Sequence, residues 1–253
     1  MLLEIVLVVV FVALSMAALI GVRSRVPLEQ LKEQHDVAAA CFAVIGGLYG
    51  IVLAFVLVSS WERFEQARSR AEAEADALSD LYRHSAALPA PTSDVLRGLT
   101  IAYARSVVDE EWQTMSEGKP GDKTTQLYAD LWSAVLATPA GDAKQLVVFQ
   151  NTLSKMDDFS DARRDRLLYA RVGLPAIVWG FLLSSGVVTI AFSYFFGLRQ
   201  IASQLLMTAA LAGTIGAALL LIAEMQTPFS GSVQVPPYGF IQLLERAADQ
   251  PPR

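Results

Sequence analysis

Four apolar runs constrain this chain more than any other feature: Leu3 to Val22, Val37 to Ser60, Gly173 to Phe196 and Ile201 to Ala223. A helix of roughly 18 to 20 apolar residues crosses the ~30 Å hydrocarbon core of a bilayer, so each run is long enough to span one. The composition agrees, because 53% of the 253 residues are hydrophobic and only 18% are charged, far from the balance of a soluble domain. The fold class expected is an all-α integral membrane protein. The first run lacks a basic leader and is longer than a signal-peptide core, so it reads as a retained anchor.

The runs divide the chain into spans 1 and 2 within residues 1–60, a polar segment over 61–171, spans 3 and 4 within 172–226, and a tail over 227–253. An even number of crossings puts both termini and the polar segment on one side. That side carries Arg63, Arg68, Arg70, Arg163, Arg164, Arg166 and Arg171 near the spans, against Arg23, Arg25, Lys32 and Arg199 on the other. The positive-inside rule therefore predicts a cytoplasmic polar segment. Glu4 at the start of span 1 and the two arginines after it argue the other way.

Span 2 runs on into polar sequence with no Gly or Pro between Gly50 and Leu88. Small or apolar residues continue at helical spacing through Phe64, Ala67, Ala71, Ala75, Leu78 and Tyr82, which predicts one helix of about 50 residues, near 75 Å long. Pro89 and Pro91 should end it, with Thr92 or Ser93 capping the next helix, which extends to about Met115. Beyond the turn at Glu117 to Asp122, helical patterns resume through Leu127, Leu131, Trp132 and Val135, then Leu146, Phe149, Leu153 and Met156. The polar segment is thus expected to be a helical bundle.

Several chemistries find no support. His35 and His84 stand far apart and outside zinc spacing, and the single cysteine, Cys41, lies within span 2. No phosphate-cradling glycine loop and no nucleophile elbow is present. The acidic stretches Asp109 to Glu111 and Asp157–Asp158 read as solvated helix faces rather than a cation site. Trp112 and Trp132 read as bundle core. The net charge of −5 and the scattered basic residues give no footprint for nucleic acid. No catalytic residue, metal ligand or cofactor is expected, and the chain is not read as an enzyme.

Two stripes of span 2 carry the functional expectation. Ala43, Gly47, Gly50 and Ala54 form a small-residue stripe suited to close helix packing. Roughly opposite, Ile45, Tyr49, Val52, Val56 and Ser59 lead to Arg63 at the water boundary. Such a stripe suits a lipid-facing surface; what favours a pore is its polar end, since an apolar constriction opening onto a cation gates by dewetting and attracts anions. Glu224, at the end of span 4, is an ionisable residue within a span and a candidate gate or ion-pair partner, for Arg171 or Arg63.

The segment from Tyr49 to Arg83, the later "EEW", "RLL" followed by "LPAIVWGFL", and "TPFSG" after span 4 resemble the bestrophin-like group of bacterial membrane proteins. The resemblance covers nearly the whole chain. It implies a four-span subunit, self-association as in the pentameric bestrophin anion channels, and a pore lined by span 2. Pro228, Phe229 and Gly231 look like the bestrophin Pro-Phe-Gly with Ser230 inserted, but the residues that follow carry no acidic cluster, so a calcium clasp is not carried over. The function expected is a homo-oligomeric ion channel in the lipid bilayer, permeable to small anions. The alternative is a non-conducting scaffold or sensor whose bundle binds a protein partner.

Overall fold

The computed structural model describes residues 2–33, 35–115, 119–139, 141–171 and 173–249. All regular structure among them is helical: α1 (Leu2–Arg25), α2 (Leu28–Glu33), α3 (His35–Ser85), α4 (Ala90–Ser106), α5 (Trp112–Thr114), α6 (Asp122–Leu136), α7 (Ala143–Arg171), α8 (Ala176–Ser193), α9 (Ile201–Met225) and α10 (Tyr238–Asp249). Four helices have the length and composition to cross a membrane: α1, the first part of α3, α8 with the 3₁₀ turn Tyr194–Phe196, and α9.

The chain forms two compact units. The membrane unit comprises Met1–Glu62 and Gly173–Gln226; the extramembrane unit comprises Arg63–Val172 and Thr227–Arg253. The tail, expected as a segment of its own, belongs to the second unit, and α3 contributes to both. At 51 residues, α3 matches the single rod that its uninterrupted pattern requires.

In the membrane unit Leu19 of α1, Tyr49 of α3, Leu182 and Ile190 of α8, and Ile215 and Ile222 of α9 form the core. Small residues set the close approaches. A β-carbon on Gly216 would lie 3.2 Å from Phe11 Cδ1, and one on Gly186 would lie 3.0 Å from the Tyr49 hydroxyl. α9 therefore meets α1, and α8 meets α3, at positions where only glycine fits without displacement.

In the extramembrane unit the face of α3 marked by Phe64, Ala67, Ala71, Ala75 and Leu78 is buried as its periodicity predicts. α4 starts at Ala90, with Pro91 in its first turn and no side-chain cap. The expected Thr92 or Ser93 cap is absent because proline needs no amide partner in that turn, which places both residues inside the helix. A widened π turn over Val107–Glu111 follows, a local register shift that no spacing rule in the sequence signals. The buried residues of α7 are Thr152, Met156, Phe159, Arg163 and Arg166, whereas Leu146 is exposed. The stripe thus starts later than its leucines suggest and ends in two arginines.

Candidate functional site

Within the membrane unit, the two stripes of α3 differ in how far their own chain covers them. Tyr49 is 4% exposed and lies in the core, with Val52 and Val56 packed against that core. The Tyr49 side chain is thus committed to the subunit core, whereas Val52 and Val56 are partly buried beside it. Ile45 is half-buried with them, Arg63 is half-buried, and Ser59 is exposed.

The small-residue stripe is the open one. Ala43, Gly47, Gly50 and Ala54 are all exposed, and β-carbons built on Gly47 and Gly50 would meet nothing within 4 Å. The glycine that packs inside the chain is its neighbour Gly46, whose β-carbon would sit 3.7 Å from Thr189 Cγ2. Flanking the small stripe, Val44, Leu48, Ile51, Phe55 and Val58 form a continuous exposed apolar wall. Their offsets of 0, 4, 7, 11 and 14 keep them on one helix face.

Glu224 is half-buried at the end of α9. The Arg171 side chain lies outside the described residues. In the last turn of the membrane unit Gln226 Oε1 accepts from the Leu174 amide at 3.0 Å and lies 3.4 Å from Trp179 Nε1, tying the start of α8 to the end of α9.

The extramembrane unit contains a buried charge network that the sequence reading missed. Arg166 donates through Nε to Glu74 Oε2 at 2.5 Å and through Nη2 to Glu74 Oε1 at 3.1 Å, and also to Glu111. Arg163 forks onto the same Glu111 at 2.9 and 3.1 Å. Tyr103 donates to Glu74 Oε1 and accepts from Arg163, both at 2.5 Å, while the Gly121 amide donates to Glu111 Oε2 at 2.9 Å. Two carboxylates face two guanidiniums, so the buried cluster is neutral, with bidentate geometry at both pairs.

Burial pushes the Glu111 carboxyl up, but the Arg166 and Arg163 guanidiniums more than reverse this and hold it below its ordinary value. Burial, aided by the Glu74 charge, drives the Tyr103 phenol well up, so it stays neutral and keeps its proton for Glu74. Burial alone would lower Arg166; the Glu74 charge leads the interactions that raise it above its ordinary value instead.

The acidic stretch Asp109 to Glu111, expected to be solvated, is therefore split. Glu110 pairs with Lys123 at 3.0 Å, while Glu111 is fully buried. Asp158 is exposed and pairs with Lys155 at 3.2 Å. Among the described residues no cluster of His, Cys, Asp or Glu could hold a metal.

Trp112 sits in the core beside this network. Its indole donates to the Val235 carbonyl at 2.9 Å, and its ring meets Phe229 and Phe240 edge-on at 5.3 and 5.9 Å. Trp132 is half-buried, with its indole bonded to Ser160. The chain after span 4 thus folds back on Trp112, and Gly231, at φ 88°, makes the turn.

The family model for the bestrophin-like domain matches residues 9–240. The chain belongs to the bestrophin-like family. Its fold is similar to crystal structures of a bacterial bestrophin homologue from Klebsiella pneumoniae. One of these, a variant with a single substitution, gives a TM-score of 0.69 at 15% identity, covering 96% of each chain. Another gives 0.68 at 17% identity, again over 96% of each chain. No curated protein matches the sequence. In this bestrophin-like chain the Pro228-Phe229-Ser230-Gly231 turn is the element that presents Phe229 to Trp112, which gives the "EEW" and "TPFSG" signatures one shared structural purpose.

Proposed function

We propose that this protein is a homo-oligomeric, anion-permeable channel in which the open face of span 2 lines the conduction path. Val44, Leu48, Ile51, Phe55 and Val58 form the apolar wall of that path. The stripe Ala43, Gly47, Gly50 and Ala54 lies against the neighbouring subunit, where small residues let helices approach closely. This reading moves the path away from Tyr49, which lies in the subunit core, and from Val52 and Val56, which pack against that core.

One observation carries this reading. Span 2 is the span least covered by its own chain: 6% of its most apolar stretch is buried, against 11% for span 1, 28% for span 3 and 22% for span 4. It is also the span that continues unbroken into the extramembrane unit. A helix so committed at one end and so uncovered at the other fits an axial position, with identical copies supplying the missing contacts.

Permeation is passive and controlled by dewetting of the apolar wall. Arg63 is the cationic residue nearest the lipid boundary along α3 and supplies the anion preference. The extramembrane unit lies in the cytoplasm, as the arginine count near the spans favours.

The reading is tested by measuring mass in detergent together with halide efflux from liposomes. An oligomer that releases halide faster than protein-free vesicles supports it. A monomer, or an oligomer without flux, favours the scaffold reading instead.

A further inference from the structure

Where α8 turns into α9 the membrane unit holds a partly open cavity of about 140 Å³, walled by Phe42, Ser193, Phe196, Leu198, Gln204 and Thr208. Its roof is held in place from three sides. His35 Nδ1 lies 2.9 Å from the Phe196 carbonyl, which can only accept, so that nitrogen carries the proton. Arg23 donates to the Leu198 carbonyl at 2.9 Å. Gly197, at φ 54°, lies under α2 so closely that a β-carbon would sit 2.8 Å from Leu31 Cβ.

Two polar side chains of α9 line this cavity, each 1% exposed. Gln204 Nε2 donates to the Tyr194 carbonyl at 3.1 Å, which fixes the amide orientation and leaves Oε1 as the acceptor. Oε1 has no hydrogen-bond partner among the described residues, and neither has Thr208 Oγ1. Other hydroxyls of the membrane unit bond the carbonyl one turn back, as Ser15, Thr189 and Thr214 do; Thr208 does not. Buried polar atoms left without partners are costly, so two of them one helical turn apart at one cavity indicate an occupant.

The chemistry of the walls selects that occupant. An anion is disfavoured because Gln204 offers an oxygen, and a cation because no carboxylate lines the cavity. The remaining surface is largely aromatic and aliphatic. A cavity of about 150 Å³ accommodates benzene.

We propose that this cavity binds a small neutral amphiphile, a hydroxyl-bearing ring of about the size of phenol. Its O–H donates to Gln204 Oε1, its oxygen accepts from the Thr208 hydroxyl, and its ring packs on Phe42 and Phe196. The site lies inside one subunit and does not depend on ion conduction.

The test is fluorine NMR on the purified full chain in detergent, titrating 4-fluorophenol and 4-fluoroanisole against protein-free micelles. Wild type is expected to bind 4-fluorophenol saturably and about fivefold more tightly than the ether, which cannot donate. Gln204→Met should cost about fivefold in 4-fluorophenol affinity and leave 4-fluoroanisole unchanged. Thr208→Val, which keeps shape and removes only the hydroxyl, should weaken both probes, because the ether oxygen accepts from Thr208 as the phenol oxygen does, and carries the test if Gln204→Met does not fold. Absence of saturable binding, equal affinity for the two probes, or affinity unaltered by Thr208→Val would overturn the proposal and leave water as the partner of both atoms.

Discussion

Arg166 of α7 and Glu74 of α3, 92 positions apart in sequence, meet with Arg166 Nε 2.5 Å from Glu74 Oε2 and with neither side chain exposed to solvent. This pair, with Glu111 bridging to Arg163, makes α3, α4, the π turn and α7 interdependent. Removing one partner of a buried pair strands a charge, a loss of about 3–5 kcal/mol. Arg166→Met should therefore destabilise the extramembrane unit by about that amount, and the double variant Glu74→Leu/Arg166→Met by less. Urea unfolding followed by Trp112 emission, with Trp61, Trp132 and Trp179 replaced by Phe, measures both.

The same network predicts acid sensitivity. The folded Glu111 carboxyl has its pKa below the ordinary value, so the unfolded chain binds that proton more tightly. Its contribution is complete above the ordinary carboxylate range and is lost as pH falls through the depressed folded value. Trp112 emission should be flat near neutrality and change cooperatively below about pH 4. Glu111→Gln should remove the part of that transition that Glu111 carries.

The charge network was readable only in hindsight from spacing. Arg163 and Arg166 prolong the stripe of Met156 and Phe159 at offsets of 4 and 3, and Glu74 falls among Ala71, Ala75 and Leu78. Charges in a buried register mark pairing, but sequence alone does not show which carboxylate answers which guanidinium across 92 positions. The four spans and the long α3 were legible because apolar length and helical period act locally. Which face of span 2 its own chain covers was not, since a residue packed on a sister span and one left open are equally apolar. The deciding information lies in Gly186, whose missing side chain makes room for Tyr49.

Glycine substitutions separate subunit folding from assembly. Gly47 and Gly50 have no neighbour within 4 Å of a built β-carbon, so Gly47→Leu and Gly50→Leu should leave the subunit folded and shift the oligomer toward monomer. Gly46→Leu, beside Thr189, should instead impair folding. Light scattering after size exclusion reads the first effect, and thermal unfolding the second; an intact oligomer in both Gly47→Leu and Gly50→Leu removes the packing role of that stripe.

Serine substitutions separate the two faces of span 2. Phe55 is 72% exposed on the subunit, and Phe55→Ser should raise halide flux by wetting the apolar wall. Val56→Ser, packed against the core, should lower thermal stability without opening the path. The reverse pattern would return the pore to the Tyr49, Val52 and Val56 face.

Orientation is checked by thiol labelling. A cysteine at Asp122, in a Cys41→Ser background, should resist impermeant reagents added to intact cells and react after lysis. Rapid labelling of intact cells would invert the topology.

The central claim, anion conduction by an assembly of this chain, is tested most directly by the reversal potential of the purified oligomer in a planar bilayer under a potassium chloride gradient. The account predicts a current whose reversal potential lies toward the chloride equilibrium potential and moves away from it in Arg63→Glu. No current above the protein-free bilayer, or reversal at the potassium potential, would contradict it.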